Sequence, residues 1–332
     1  MIAPSFDRMA SFGALRAAAL RAARGHGASR EVAAFLADLE SEVLIMEREL
    51  LAGTWMPRAH TTFRIREPKP RTISAAAFRD RVVHHAVCAE LNPLFEARAD
   101  HDSYACRPGK GSHAAVLRAQ RHTRLHPWFV KLDIRHFFET VPHDRLLARL
   151  AACLTDARLR TVVERILVVG APGAATGIPI GNLTSQHFGN FYLSFFDQFA
   201  RRTLRVPALV RYMDDVLWFG PDNASVRAWA TRAETWVNAE LGLALKTEAT
   251  IVAPVCAGVP YLGFRIWPRL VRLDSVRVRR LRRRLRTLRL LSAAGLLSDE
   301  DAQRRAGSVL AWATHADTLR LRQKIVAGGG EG

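Results

Sequence analysis

The apolar positions of this chain change period several times, and each change predicts an element. From Ala33 to Met46 they return at helical spacing (Ala33, Phe35, Leu36, Leu39, Val43, Leu44, Met46), which predicts one long packed helix ending near Gly53. Further helices are predicted from about Phe78 to Leu91, Leu183 to Arg202 and Ala224 to Leu241. Two short apolar, aromatic and β-branched runs, Leu209-Val210-Arg211-Tyr212 and Val216-Leu217-Trp218-Phe219, predict a β-hairpin with Asp214 and Asp215 at its tip. Trp128-Phe129-Val130-Lys131-Leu132-Asp133 predicts a strand that ends in a carboxylate, and a basic hairpin is expected around Pro68-Lys69-Pro70-Arg71. Pro142 suits the first turn of a helix, with Asp144 behind it. From Val278 a stripe of Val278, Leu281, Leu285 and Leu288 marks one helix face, and a second helix is expected from about Asp299 to His315. Gly328-Gly329-Gly330 predicts a flexible tail, and no internal repeat is visible.

Charge narrows the class of partner. Lys plus Arg number 49 against 31 Asp plus Glu, a formal net charge of +18 over 332 residues. Such an excess calls for a polyanion. The arginines cluster around the Val278 stripe (Arg277, Arg279, Arg280, Arg282, Arg283, Arg284, Arg286, Arg289), and a one-signed helix repels itself without one. Nucleic acid suits better than membrane, because no apolar run approaches the roughly 20 residues of a bilayer span. Charges interrupt every N-terminal apolar stretch, so no signal peptide is expected and the cytoplasm is the expected compartment. Cys88, Cys106, Cys153 and Cys256 are scattered without Cys-x-x-Cys spacing, which predicts reduced thiols and no zinc site. The histidines, His84-His85 included, also lack metal-site spacing and read as core or nucleic-acid contacts.

The candidate chemistry lies in three carboxylates. Asp214 and Asp215 repel each other unless a cation relieves them, and hard oxygen donors favour Mg²⁺. With Asp133 they make a set able to hold two ions about 4 Å apart, the arrangement of metal-assisted phosphoryl transfer. Taken alone, the pair reads better as an Asp-Asp turn without metal, and Asp133 better as a strand-ending or helix-capping acid.

Ordered blocks choose between these readings. Lys131-Leu132-Asp133-Ile134-Arg135-His136-Phe137-Phe138 resembles the first catalytic block of reverse transcriptases, and Tyr212-Met213-Asp214-Asp215 resembles their catalytic hairpin. Gly177-Ile178-Pro179-Ile180-Gly181-Asn182-Leu183-Thr184-Ser185-Gln186 is similar to the block between them, and Leu245-Lys246-Thr247 and Tyr261-Leu262-Gly263-Phe264 to the palm lysine and primer-grip-like turn. The order holds roughly from Trp55 to Ile325. Three stretches are similar to bacterial retroelement enzymes: Glu67-Pro68-Lys69-Pro70-Arg71-Thr72-Ile73, Phe78-Arg79-Asp80-Arg81-Val82-Val83-His84-His85-Ala86, and Asp102-Ser103-Tyr104-Ala105-Cys106-Arg107-Pro108-Gly109-Lys110-Gly111. Ser185-Gln186 looks most like reverse transcriptases of diversity-generating retroelements, while retron and group II intron enzymes share the general plan.

The resemblance implies an α+β right-hand polymerase fold: a helical extension (1–54), fingers (55–125), a catalytic palm with an antiparallel sheet (126–265) and a helical thumb with its tail (266–332). It implies an RNA-directed DNA polymerase with Asp133, Asp214 and Asp215 as catalytic residues. Ile134 joins them in a set for two Mg²⁺, with Mn²⁺ as a substitute. It gives Lys69, Arg71, Phe138, Ile180, Gln186 and Lys246 to the nucleotide, Arg71 ahead of Lys69 on the triphosphate, and Phe138 against a ribose 2′-hydroxyl. It gives Arg107, Tyr212, Gly263, Arg280, Arg283 and Arg284 to nucleic acid. Ile180 stands where many reverse transcriptases have Gln, so it reads either as ordinary packing or as a loss of polar discrimination that lowers fidelity. Expected partners are a structured template RNA, a primer strand, dNTPs and a small basic accessory protein. A retron or phage-defence enzyme, and a non-catalytic RNA-binding scaffold, are the alternatives.

Overall fold

A computed structural model describes residues 3–25, 29–65 and 70–326 of the chain. The N-terminal region holds four helices, α1 (Phe6–Ala10), α2 (Phe12–Ala22), α3 (Arg30–Ala37) and α4 (Leu39–Leu51). The single long helix expected from Ala33 is thus two. At Asp38 the backbone leaves the helical region (φ −125, ψ 42), so that residue closes α3 and opens α4. Val32, Phe35, Leu39, Val43, Met46 and Leu50 are buried, whereas Ala33 and Leu44, expected in the stripe, face solvent.

The hairpin strands β1 (Thr61–Ile65) and β2 (Arg71–Ala75) pair antiparallel from Thr61↔Ala75 to Ile65↔Arg71. Next comes α5 (Phe78–Arg98), two turns longer than expected because it runs on through Pro93, then α6 (Ser112–Thr123) and β3 (Trp128–Asp133). The helices α7 (Phe137–Thr140), α8 (His143–Ala151) and α9 (Ala157–Gly170) follow, with Pro142 just before α8 rather than inside it. The helix α10 (Leu183–Gln198) widens into a π-helical turn at Phe199–Thr203. After it stand β4 (Ala208–Tyr212), β5 (Asp215–Gly220), α11 (Asn223–Leu241) and β6 (Ile251–Pro254). A meander of β7 (Val259–Tyr261), β8 (Phe264–Trp267) and β9 (Leu270–Leu273) leads to α12 (Ser275–Ala293), α13 (Asp299–Ala313) and α14 (Leu319–Val326). The glycine tail at 328–330 lies outside the described residues.

Contacts gather the chain into two compact units. The first comprises Met1–His101, Asp133–Arg205 and Thr231–Thr247. Its core is aromatic: Phe95 of α5 meets Phe191 and Phe188 of α10 at 5.0 and 6.3 Å, and Phe196 and Phe199 stack on Trp236 of α11. The Tyr192 hydroxyl donates to the Leu241 carbonyl at 2.7 Å, which satisfies it inside the core.

The second unit comprises Asp102–Leu132, Val206–Ala230 and Glu248–Gly332. Its four-stranded sheet runs in the order β4-β5-β3-β6, with β4 and β5 antiparallel and β3 antiparallel to β6. Phe129, Val210, Leu217 and Phe219 of that sheet share a buried cluster with Phe264 and Ile266 of β8 and with Leu281 and Leu285 of α12. The stripe read from the sequence is therefore the packed face of α12, and Arg279, Arg282, Arg283, Arg284, Arg286 and Arg289 lie on its exposed sides. No helix among the described residues is long and apolar enough to cross a membrane.

Candidate active site

The hairpin that carries Asp214 and Asp215 has a two-residue turn. Tyr212 pairs with Asp215, so Met213 and Asp214 alone make the turn and Asp215 opens β5 rather than sitting at the tip. Met213 adopts the left-handed region (φ 53), strained for a residue with a side chain, and is almost fully buried. Three groups of the second unit brace the hairpin. Arg211, wholly buried in β4, donates through Nη1 to the Met213 carbonyl at 3.3 Å. The buried Tyr261 hydroxyl donates to the Asp215 carbonyl at 3.4 Å, and burial together with the Asp215 charge holds that phenol well above its usual pKa. Lys131 Nζ lies 3.1 Å from Asp215 Oδ1.

Asp133 is the last residue of β3, the strand beside β5 in the sheet. Its carbonyl accepts from the Lys246 amide at 2.8 Å, and Ile134 bridges to Leu245, so the lysine block runs directly alongside it. Ile134 is buried and has only its carbonyl to offer a cation. Among the described residues, no group of three or more His, Cys, Asp or Glu is gathered as a ready metal cluster. The Asp214-Asp215 pair nonetheless fits a divalent cation by the chemistry of its donors, and Lys131 already supplies positive charge to one of the two carboxylates.

The nucleotide candidates among the described residues fall in the first unit. The block from Gly177 to Asn182 is laced to its surroundings by main-chain bonds. Gly177 N donates to Val141 O at 2.8 Å, Ile178 N to Phe138 O at 2.7 Å, and Ser74 N of β2 to Ile180 O at 2.8 Å. Asn182 Oδ1 accepts from Ala76 N at 3.2 Å. Gly181 (φ 119) permits this approach, because a Cβ there would meet Ile73 Cγ2 at 2.7 Å. The structure thereby brings together Phe138, Ile180 and the strand that Arg71 begins; Phe138 and Ile180 are half-buried and Arg71 is exposed. Gln186 is exposed on α10, and Lys246 is half-buried beside Asp133. Lys69 lies outside the described residues. Of the histidines, His84 belongs to the core, where burial drives its pKa down to about 3.

The nucleic-acid candidates fall in the second unit. Gly263 (φ 79), with Leu262 (φ 48), forms the two-residue turn between β7 and β8. The Arg277 side chain lies directly over that glycine, where a Cβ would fall 1.7 Å from its Nε. Arg277, Arg280 and Arg284 line one cleft of about 340 Å³ with Ser308 and Val309 of α13, while Arg283 is exposed outside it. Tyr212 is half-buried at the end of β4, and Arg107 is tied by Nη1 to the Ser103 carbonyl of its own loop at 2.8 Å.

Reading the sequence missed the support beneath the hairpin. Asp102 is buried and takes a bidentate bond from Arg118 at 2.7 and 3.0 Å. Its carbonyl accepts the Arg211 amide, and Tyr104 N donates to Arg211 O, so Asp102–Tyr104 lies along β4 as an extra pairing segment. The available signal was an arginine inside the apolar run Leu209-Val210-Arg211-Tyr212.

Comparison with known proteins agrees with this architecture. Residues 65–266, more than half the chain, match the family model described as reverse transcriptase (RNA-dependent DNA polymerase). The chain belongs to that family. It is 26% identical to Protein YkfC of Escherichia coli over 288 residues, covering 73% of this chain and 75% of that protein. It is 24% identical to the group II intron-encoded protein LtrA of Lactococcus lactis over 169 residues, covering 48% of this chain but 28% of that protein. Apo telomerase from Candida tropicalis has a similar fold, with a TM-score of 0.50 at 11% identity over 77% of this chain and 57% of that one. The fold is the α+β polymerase fold, and its relatives include intron-encoded proteins.

Proposed function

We propose that the chain is an RNA-directed DNA polymerase that extends a primer on an RNA template. The observation that carries this reading is the Asp214-Asp215 pair, presented by a strained two-residue turn and braced by Arg211, Tyr261 and Lys131, in a chain of this family. Asp214 and Asp215, with Asp133 and the Ile134 carbonyl, would hold divalent cations, Mg²⁺ first and Mn²⁺ as its substitute. Such ions supply charge neutralisation and activation of a hydroxyl nucleophile. The chain's own groups do the positioning. Phe138 abuts the sugar and excludes a 2′-hydroxyl, while Arg71 and Lys246 face the phosphates. Gly263 and the Arg280–Arg284 face of α12 hold the strands.

Within that activity, Ile180 and Ser185-Gln186 support error-prone copying at template adenines, as in a diversity-generating retroelement with its structured RNA and small basic accessory protein. The alternatives within this reading are a retron-type or phage-defence reverse transcriptase and, from a different class, a non-catalytic RNA-binding scaffold on the same fold. Primer extension on an RNA template with Mg²⁺ and dNTPs tests the activity. Asp214→Asn is expected to lower the rate by about a hundred- to a thousandfold, on the scale of losing an electrostatic catalytic group. Failure of the unaltered chain to extend any primer, at any salt, would favour an RNA-binding scaffold instead.

A further inference from the structure

At the end of α10 away from the Gly177–Asn182 block, the π-helical turn Phe199–Thr203 carries Arg201 and Arg202. They meet the C-terminal end of α5, and Ala97, Arg98, Asp100, Gln198, Arg201 and Arg202 line a cleft of about 430 Å³. The 16 residues of α10 separate this cleft from the nucleotide block. At about 1.5 Å per residue that is about 24 Å.

The cleft is one-sided in charge. Three guanidinium groups face one lining carboxylate, Asp100, which accepts from Arg201 at 3.0 and 3.3 Å. Arg98 is held with its guanidinium carbon 4.8 Å from the Phe195 ring centroid, and its Nε is buried without a hydrogen-bond partner. Arg202 is exposed. Gathering like charges costs free energy unless an anion shares them. The aromatic contact and the ion pair already fix two of the three side chains, so a ligand need not order them.

Planar forked donors suit phosphate oxygens. The lining has one apolar residue, Ala97, and so offers a peptide no hydrophobic anchor. We propose that this cleft is a second nucleic-acid site, which holds backbone phosphates of a structured RNA away from the copying track. The inference goes beyond polymerisation and requires only an RNA partner.

The test uses the full chain and a fluorescein-labelled RNA hairpin, with anisotropy read across a salt series. Arg201→Ala/Arg202→Ala should weaken binding about tenfold and flatten the salt dependence by nearly 2 in log–log slope, the share of two phosphate contacts. Arg202→Ala alone, at an exposed position, should give about half that slope change, and it keeps the test readable if the double variant folds poorly. Extension of a short primer–template duplex should keep its kcat and KM in both variants. Unchanged affinity and slope would overturn the proposal. So would a raised KM on the short duplex, which would merge the cleft with the copying track. Loss of polyglutamate binding with RNA binding intact would assign the cleft to an acidic protein instead. If the unaltered chain extends nothing, the polymerase reading falls while the binding arm still reads out.

Discussion

Two hairpins of the same compact unit solve one geometric problem in opposite ways. β4–β5 and β7–β8 each turn through two residues, and each places a bulky residue first in the left-handed region, Met213 (φ 53) and Leu262 (φ 48). They part at the second position. In the first turn it is Asp214, a chemical group. In the second it is Gly263 (φ 79), whose missing side chain leaves room for Arg277. The means of support differ as well. The Met213 carbonyl is held by the buried Arg211 guanidinium, whereas the Gly263 carbonyl accepts the Asp274 amide at 3.1 Å. The turn that presents a carboxylate is held by a side chain beneath it; the turn that Arg277 approaches closely is held through a main-chain bond.

Removing the brace should have the largest effect on this contrast. Arg211→Met keeps much of the volume but leaves a buried carbonyl without its charged donor, a loss of about 2 kcal/mol. Urea unfolding should show that loss, and primer extension should show a fall in kcat with little change in KM, because the carboxylates move while the Gly263 turn does not. Full kcat at reduced stability would mean that Arg211 supports the fold alone, and the distinction between the two turns would collapse.

What could be read from the sequence follows the same division. The strands around Asp214-Asp215 and the Leu281, Leu285 face of α12 were legible, since alternation and helical period are local signals. The break at Asp38 was not, because neither Gly nor Pro marks it and the apolar spacing continues across it. The acidic pair was legible as chemistry, but its support was not. An arginine in a strand pattern gives no local sign of burial, and the segment Asp102–Tyr104 that pairs along β4 comes from a distant part of the chain. Likewise Gly263 was found through its block, while the Arg277 side chain lying over it depends on where α12 begins.

The second turn offers a smaller, sharper test. Gly263→Ala forces a Cβ into a left-handed conformation and against Arg277, which should cost about 1–2 kcal/mol. The clash is with a flexible side chain, so pairing the change with Arg277→Ala should recover part of the loss and leave only the backbone strain. A double-mutant cycle measures that coupling. Primer–template affinity should fall in Gly263→Ala with kcat nearly intact, the reverse of the Arg211→Met pattern. Strict additivity in the cycle would show that Arg277 does not depend on the glycine.

The smallest expected effect belongs to Tyr261, which touches both hairpins: it ends β7, beside the Gly263 turn, and donates to the Asp215 carbonyl. At 3.4 Å the bond is long, and the carbonyl belongs to a residue whose carboxylate has Lys131 beside it. Tyr261→Phe removes the hydroxyl and keeps the buried ring, so a loss of about 0.5–1 kcal/mol is expected, with extension kinetics changed less than twofold. If kcat instead falls as far as in Arg211→Met, the two turns are coupled through this phenol. The carboxylate turn would then depend on the Gly263 turn as well as on its own brace.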